Sequence, residues 1–145
     1  MKRILTISLL LISGLSHAAN IKNDSYLLGL VGQKAVDIED VSHSYNTPTK
    51  IYYFSPTLNT GLELQLNKNT AEVVWLFSRS DKLAENRKAE QTAISFTQKL
   101  LGKQAIDLLI KPMKAGKTIP SIKISGVTIK NARCSASQCM YSVLR

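Results

Sequence analysis

The chain is short of almost everything that metal and nucleophile chemistry needs. Its 145 residues hold 2 Cys and 2 His, and His17 lies in the first 18 positions. One remaining histidine and two cysteines do not make a zinc site of a familiar type. Glycine is sparse, and Gly29 and Gly32 cannot form a phosphate cradle. Ala115-Gly116-Lys117-Thr118 matches the end of a nucleotide-binding loop, but Lys111 stands where that motif requires glycine. The flanks also fail, because a strand should precede it and a helix should follow. No apolar run reaches the roughly 20 residues that cross a bilayer as a helix. No repeat of 20–50 residues is visible. The composition, 44% hydrophobic and 20% charged, excludes a collagen-like or disordered chain. No acidic residue follows Asp107. No cofactor is expected, because a doubly wound dinucleotide domain would use nearly the whole length.

The first segment reads as a targeting signal. Lys2 and Arg3 precede the apolar run Ile4–Ile12, and Ser16-His17-Ala18 supplies small residues at the two positions a signal peptidase reads. Cleavage after Ala18 would leave Ala19–Arg145 as one small domain of 127 residues with a balance of +7. The expected location is periplasmic or secreted. An oxidising compartment favours pairing the two cysteines. Val127–Arg133 and Met140–Leu144 read as strands joined by Ser135–Gln138, which sets Cys134 opposite Cys139 at a distance a disulfide spans. The closed loop is short, so chain entropy gives such a bond about 2 kcal/mol.

The body reads as strands, then helices, then strands. A short helix through Tyr26–Val31, capped by Asp24 or Ser25, should stop at Gly32. Residues 34–46 fit either a short helix or an irregular strand, and Thr47-Pro48 marks a boundary. Lys50–Phe54, Leu62–Leu66 and Val73–Phe77 predict a three-stranded antiparallel meander, with the alternation of Leu62, Leu64 and Leu66 marking a half-buried strand. Ser80 should cap the main helix, with Asp81 and Glu85 in its first turn and Gly102 as its stop. Ala89, Ala93, Phe96 and Leu100 form its apolar stripe. A second helix through Ala105–Ile110 should end at Pro112, and strands resume near Ile119. This order predicts an α+β fold: an antiparallel sheet with helices on one face, closed by a disulfide-stapled C-terminal hairpin.

Charge is unevenly spread. Residues 19–78 carry four lysines against six acids, and residues 79–145 carry thirteen basic residues against four acids. Two surfaces therefore stand out as binding candidates. One is the aromatic group on the meander, above all Tyr52, Tyr53 and Trp75, with Phe54 and Phe77 beside them. Exposed Trp and Tyr are favoured anchors of protein contacts. The other is the basic C-terminal hairpin with Lys123, Lys130 and Arg133. The competing reading of the aromatics is core filling, and that of the lysines is a solvated surface. Catalysis has weaker candidates: His43 beside Asp40, the pair Glu63 and Glu72, and the group Asp37, Glu39 and Asp40. None makes a constellation by sequence alone, since such groups meet in space.

The expected function is therefore binding rather than catalysis, by a small exported module of inhibitor, immunity or adaptor type. The partner is a protein with an acidic surface. The alternative is adaptation to an anionic envelope polymer or lipid through the basic half, and the third is a small hydrolase. Nucleic acid is not expected, because stacking aromatics are not interleaved with the lysines.

Overall fold

A seven-stranded sheet dominates the computed structural model, which describes residues 20–57, 60–77 and 82–145. The expected signal segment, and the Ser80 cap with Asp81, lie outside the described residues. The strands are β1 (Asp37–Asp40), β2 (Thr49–Tyr53), β3 (Gly61–Asn67), β4 (Thr70–Leu76), β5 (Ile119–Ile124), β6 (Val127–Cys134) and β7 (Gln138–Leu144). They run in the spatial order β1-β2-β3-β4-β7-β6-β5, and every neighbouring pair is antiparallel. The fold is α+β, as the element order predicts. The predicted meander is β2–β4, and the ambiguous segment before it resolves into both options: β1, then the one-turn helix α2 (Ser42–Tyr45).

Three helical segments pack on the sheet, and their ends follow local chemistry. Helix α1 (Asp24–Val31) is capped by Asn23, whose Oδ1 accepts the Tyr26 N–H at 3.0 Å, one residue ahead of the expected cap. Gly32 ends it at φ 79°, a left-handed conformation that glycine adopts without penalty. Helix α3 (Leu83–Leu101) buries the predicted stripe Ala89, Ala93, Phe96 and Leu100. Pro112 does not end the next segment, contrary to expectation. Ile106–Ile110 forms a wide π-type turn in which the Lys111 N–H bonds the Ile106 carbonyl, and α4 (Lys111–Lys114) follows directly. Pro112 sits in the first turn of α4, where a missing N–H costs little.

The core lies between α3 and one face of the sheet. Along β3 and β4 the positions Leu62, Leu64, Leu66, Ala71, Val73 and Trp75 are buried, and the intervening positions are half-buried. One bond shows which face α3 covers. Thr97 of α3 donates its hydroxyl proton to the Ala93 carbonyl at 2.7 Å, so the buried Tyr141 hydroxyl of β7 donates to Thr97 at 2.8 Å. Tyr141 stands opposite Val73, and its ring meets Trp75 edge-on at 6.4 Å.

The hairpins are set by turn residues. Asn67 Oδ1 accepts the amide protons of Asn69 and Thr70, both at 2.9 Å, and so closes the β3–β4 turn. Ser125 and Gly126, at φ 50° and 80°, make the two-residue β5–β6 turn whose twist suits a hairpin. Ser125 Oγ then donates to the Leu101 carbonyl at 2.6 Å, tying that turn to the end of α3. Cys134 and Cys139 pair across the β6–β7 hairpin as a disulfide with Cα atoms 4.0 Å apart.

Candidate functional site

The register assembles a surface from residues far apart in sequence. The face opposite α3 carries the half-buried positions of β3 and β4. One row across it reads Asp37, Tyr53, Glu63, Val74, Met140, Arg133. The next reads Glu39, Ile51, Gln65, Glu72, Ser142, Lys130, with Ser121 beyond. Lys123 lies two residues along β5 from Ser121, on the same face. The face is therefore polarised. Acids gather on β1–β4 with Ile51 among them, basic side chains stand on β5 and β6, and Val74 and Met140 lie between the two ends. Five strand spacings separate the β1 acids from the β6 basic pair, about 24 Å.

A β-bulge makes the basic end possible. Strict alternation would send Lys130 and Arg133 to opposite faces, since their separation is odd. The β6–β7 register slips between those two residues, and Asn131 takes φ 55° there. The extra residue restores Ala132 to the core at 0% exposure and leaves both cations exposed on the open face. The three basic candidates, Lys123, Lys130 and Arg133, thus share one face.

The aromatic candidates separate. Tyr53 lies on the open face, where its hydroxyl donates to Glu39 at 2.7 Å. That hydrogen bond, followed by burial and the charges of Glu39, Glu63 and Asp37, pushes the Tyr53 hydroxyl up to about 12. Tyr52 points to the opposite side, where it lines a groove of about 580 Å3 with Leu28, Ile38 and Phe54, between α1 and the β1–β2 edge. Trp75 is a correction. It is 0% exposed, on the face beneath α3, and offers nothing to a partner in the folded chain. Tyr45 of α2, which the sequence did not single out, is 50% exposed and its hydroxyl reaches Gln65 on the open face at 3.5 Å.

The acidic end joins two groups that look separate in the sequence. Tyr53 stands opposite both Asp37 and Glu63, so Glu63 lies across one strand from the β1 acids and feels the charge of Glu39, rather than forming a simple pair with Glu72. Glu63 and Glu72 share the face but sit diagonally, opposite Val74 and Gln65. Burial, then the charge of Glu39, raises the Glu63 carboxyl above its usual range. The carboxylate form is therefore the strained one. Its cost is absent below the unfolded-state pKa and grows as pH rises through the folded-state value. Glu63→Gln is expected to stabilise the dilute protein at pH 7, with the gain vanishing near pH 3. Urea midpoints across that range check it, and a gain that is larger at acid pH would refute it.

The catalytic candidates do not converge. His43 is exposed on α2, and Asp40 is engaged by Ser42, whose hydroxyl and amide donate to it at 2.5 and 3.0 Å. Those two bonds hold the Asp40 carboxyl below its usual range. Among the described residues no three His, Cys, Asp or Glu lie close enough to hold a metal ion.

Both edge strands carry features that discourage a further strand. At β1 the Asp37 carboxylate accepts the Ile38 N–H at 2.8 Å and places charge on a strand of only four residues. At β5, the edge strand carries Pro120 and the exposed Lys123.

No known family model, characterised protein or solved structure matches the chain.

Proposed function

We propose that the chain is a small exported binding module that engages another envelope or secreted protein, in the manner of an inhibitor, immunity protein or adaptor, through the open face of its sheet. The observation that carries this is the layout of that face. Half-buried Val74 and Met140 form an apolar centre between exposed ends of opposite charge. An apolar core inside a polar rim is the anatomy of a protein interface. The blunted edges support contact through the face rather than by strand addition. The disulfide suits an oxidising compartment, and no helix among the described residues is long and apolar enough to cross a membrane.

A second reading has one observation in its favour. Lys123, Lys130 and Arg133 together would attract an anionic lipid or polymer. Glu39, Glu63 and Glu72 on the same face would repel it wherever it lay flat, so the protein partner is preferred.

The test is capture from envelope and culture-fluid extracts with the tagged protein and its Val74→Arg variant. The washes use low salt and about 1 M salt, where the screening length is ~3 Å. A protein held near stoichiometrically by the wild type at both salts, and lost by the variant, supports the proposal. Capture indifferent to Val74→Arg refutes it. So does recovery of anionic lipid or polymer alone, at low salt only.

A further inference from the structure

We infer that the open face is self-complementary and closes on a second copy of the chain, the two sheets packing face to face about a twofold axis parallel to the strands. This rests on the proposed role of the face as a binding surface: the second copy covers the face until a foreign partner displaces it.

Symmetry and charge together select the arrangement. A twofold axis perpendicular to the strands, in the plane of the interface, stacks acid on acid and base on base. An axis normal to the sheet does not bring the two faces together. Only an axis parallel to the strands reverses the strand order and turns the acidic side of one copy toward the basic side of the other, with β1 extending past the second copy's β5. Placed between β4 and β7, it sets β4 over β7 and β3 over β6. Val74 then faces Met140 of the second copy, Glu72 faces Ser142, and Glu63 faces Arg133. Each contact occurs twice, as an isologous interface requires. Sheets packed face to face keep their strands within about 30° of each other, so this registration holds to within about a residue near the axis. The half-buried Glu63 carboxylate, strained in the single chain, gains a cation.

The size fits a weak pair. Six strands overlap in this arrangement, spanning about 24 Å, and about six residues per strand span ~20 Å. Each copy therefore offers roughly 480 Å2, and the pair about 960 Å2, at the small end of protein contacts. A weak, reversible equilibrium is expected, rather than an obligate dimer.

Sedimentation velocity on the purified protein from about 1 to 100 μM tests this. The wild type should pass from monomer to dimer across that range. Glu63→Arg alone, or Arg133→Glu alone, places like charges together twice per dimer and should weaken association at least ~10-fold. Mixed one to one, the two variants should form a heterodimer of about wild-type strength, because each reversed residue then meets its opposite. Circular dichroism and thermal midpoints confirm that both variants fold. A wild type that stays monomeric to 100 μM overturns the inference. So do single variants that dimerise like the wild type, or a mixture that does not associate. A monomeric wild type whose Val74→Arg variant still loses a captured protein refutes only the second copy. A dimer that captures nothing from extracts refutes only the foreign partner.

Discussion

Arg145→Ala is expected to cost about 3 kcal/mol of stability and to lower the midpoint of thermal unfolding by roughly 10 °C. The Arg145 side chain is only 3% exposed. Its guanidinium donates to three backbone carbonyls, from Nε to Ile21 at 2.7 Å, from Nη1 to Asn67 at 2.6 Å and from Nη2 to Lys22 at 2.8 Å. Its own amide bonds the Asn69 carbonyl at 2.9 Å. The planar fork thus fastens the segment leading into α1 to the β3–β4 turn, a geometry no point charge reproduces. Arg145→Lys should therefore recover less than half of the loss. Nη2 also pairs with Asp24, but that carboxylate is 53% exposed, so Asp24→Asn should cost well under 1 kcal/mol. Urea unfolding of the three variants checks the ranking. Hydrogen exchange adds the location, since α1 amides should open before those of β3 and β4. A loss below 1 kcal/mol for Arg145→Ala would show that the carbonyls find water without cost.

The strands that could be recognised in advance are those whose burial is one-sided. Leu62, Leu64 and Leu66 alternate because β3 has one covered face; β4 stood out only as a continuous apolar run, Val73–Phe77, and its one-sided burial appears in the structure. The order of strands was not legible. The pairing of β7 with β4 joins residues about 70 apart, and no local signal encodes it. The open face was therefore hidden too. Its members come from seven strands, and each looks ordinary in its own segment. One clue lay in the cysteines. Cys134 opposes Cys139, which stands beside core residue Trp75, while Ile129 also faces the core. Those two positions on β6 are five residues apart, an odd number, so one extra residue must lie between them. Asn131, a residue that tolerates positive φ, marks the place. The same slip carries Arg133 to the face that holds Lys130. The convergence of Glu63 with Asp37 and Glu39 had no such clue, because it depends on the β1–β2 and β2–β3 registers together.

Trp75 and Tyr53 make opposite predictions about fold and binding. Trp75→Ala should remove 3–5 kcal/mol, because a fully buried indole leaves a cavity that its neighbours fill only in part. The edge-on contact with Tyr141 adds about 0.5–1.5 kcal/mol to what is lost. Against a usual total of 5–15 kcal/mol, that substitution leaves the fold marginal. Trp75→Phe should be much milder, near 1 kcal/mol. The indole N–H has no hydrogen-bond partner among the described residues, so phenylalanine removes volume together with a buried donor that was never satisfied. Tyr53→Ala, by contrast, truncates a side chain on the open face and should cost under about 1 kcal/mol. Any binding deficit in Trp75→Ala must then track the unfolded fraction and be rescued by cooling or by Trp75→Phe. A deficit in Tyr53→Ala must appear in a fully folded protein. Thermal midpoints set beside dimerisation or capture for the three variants separate these outcomes. If Trp75→Ala proved stable and Tyr53→Ala did not, the assignment of covered and open faces would be inverted, and the polarised surface would lose its claim to be the binding site.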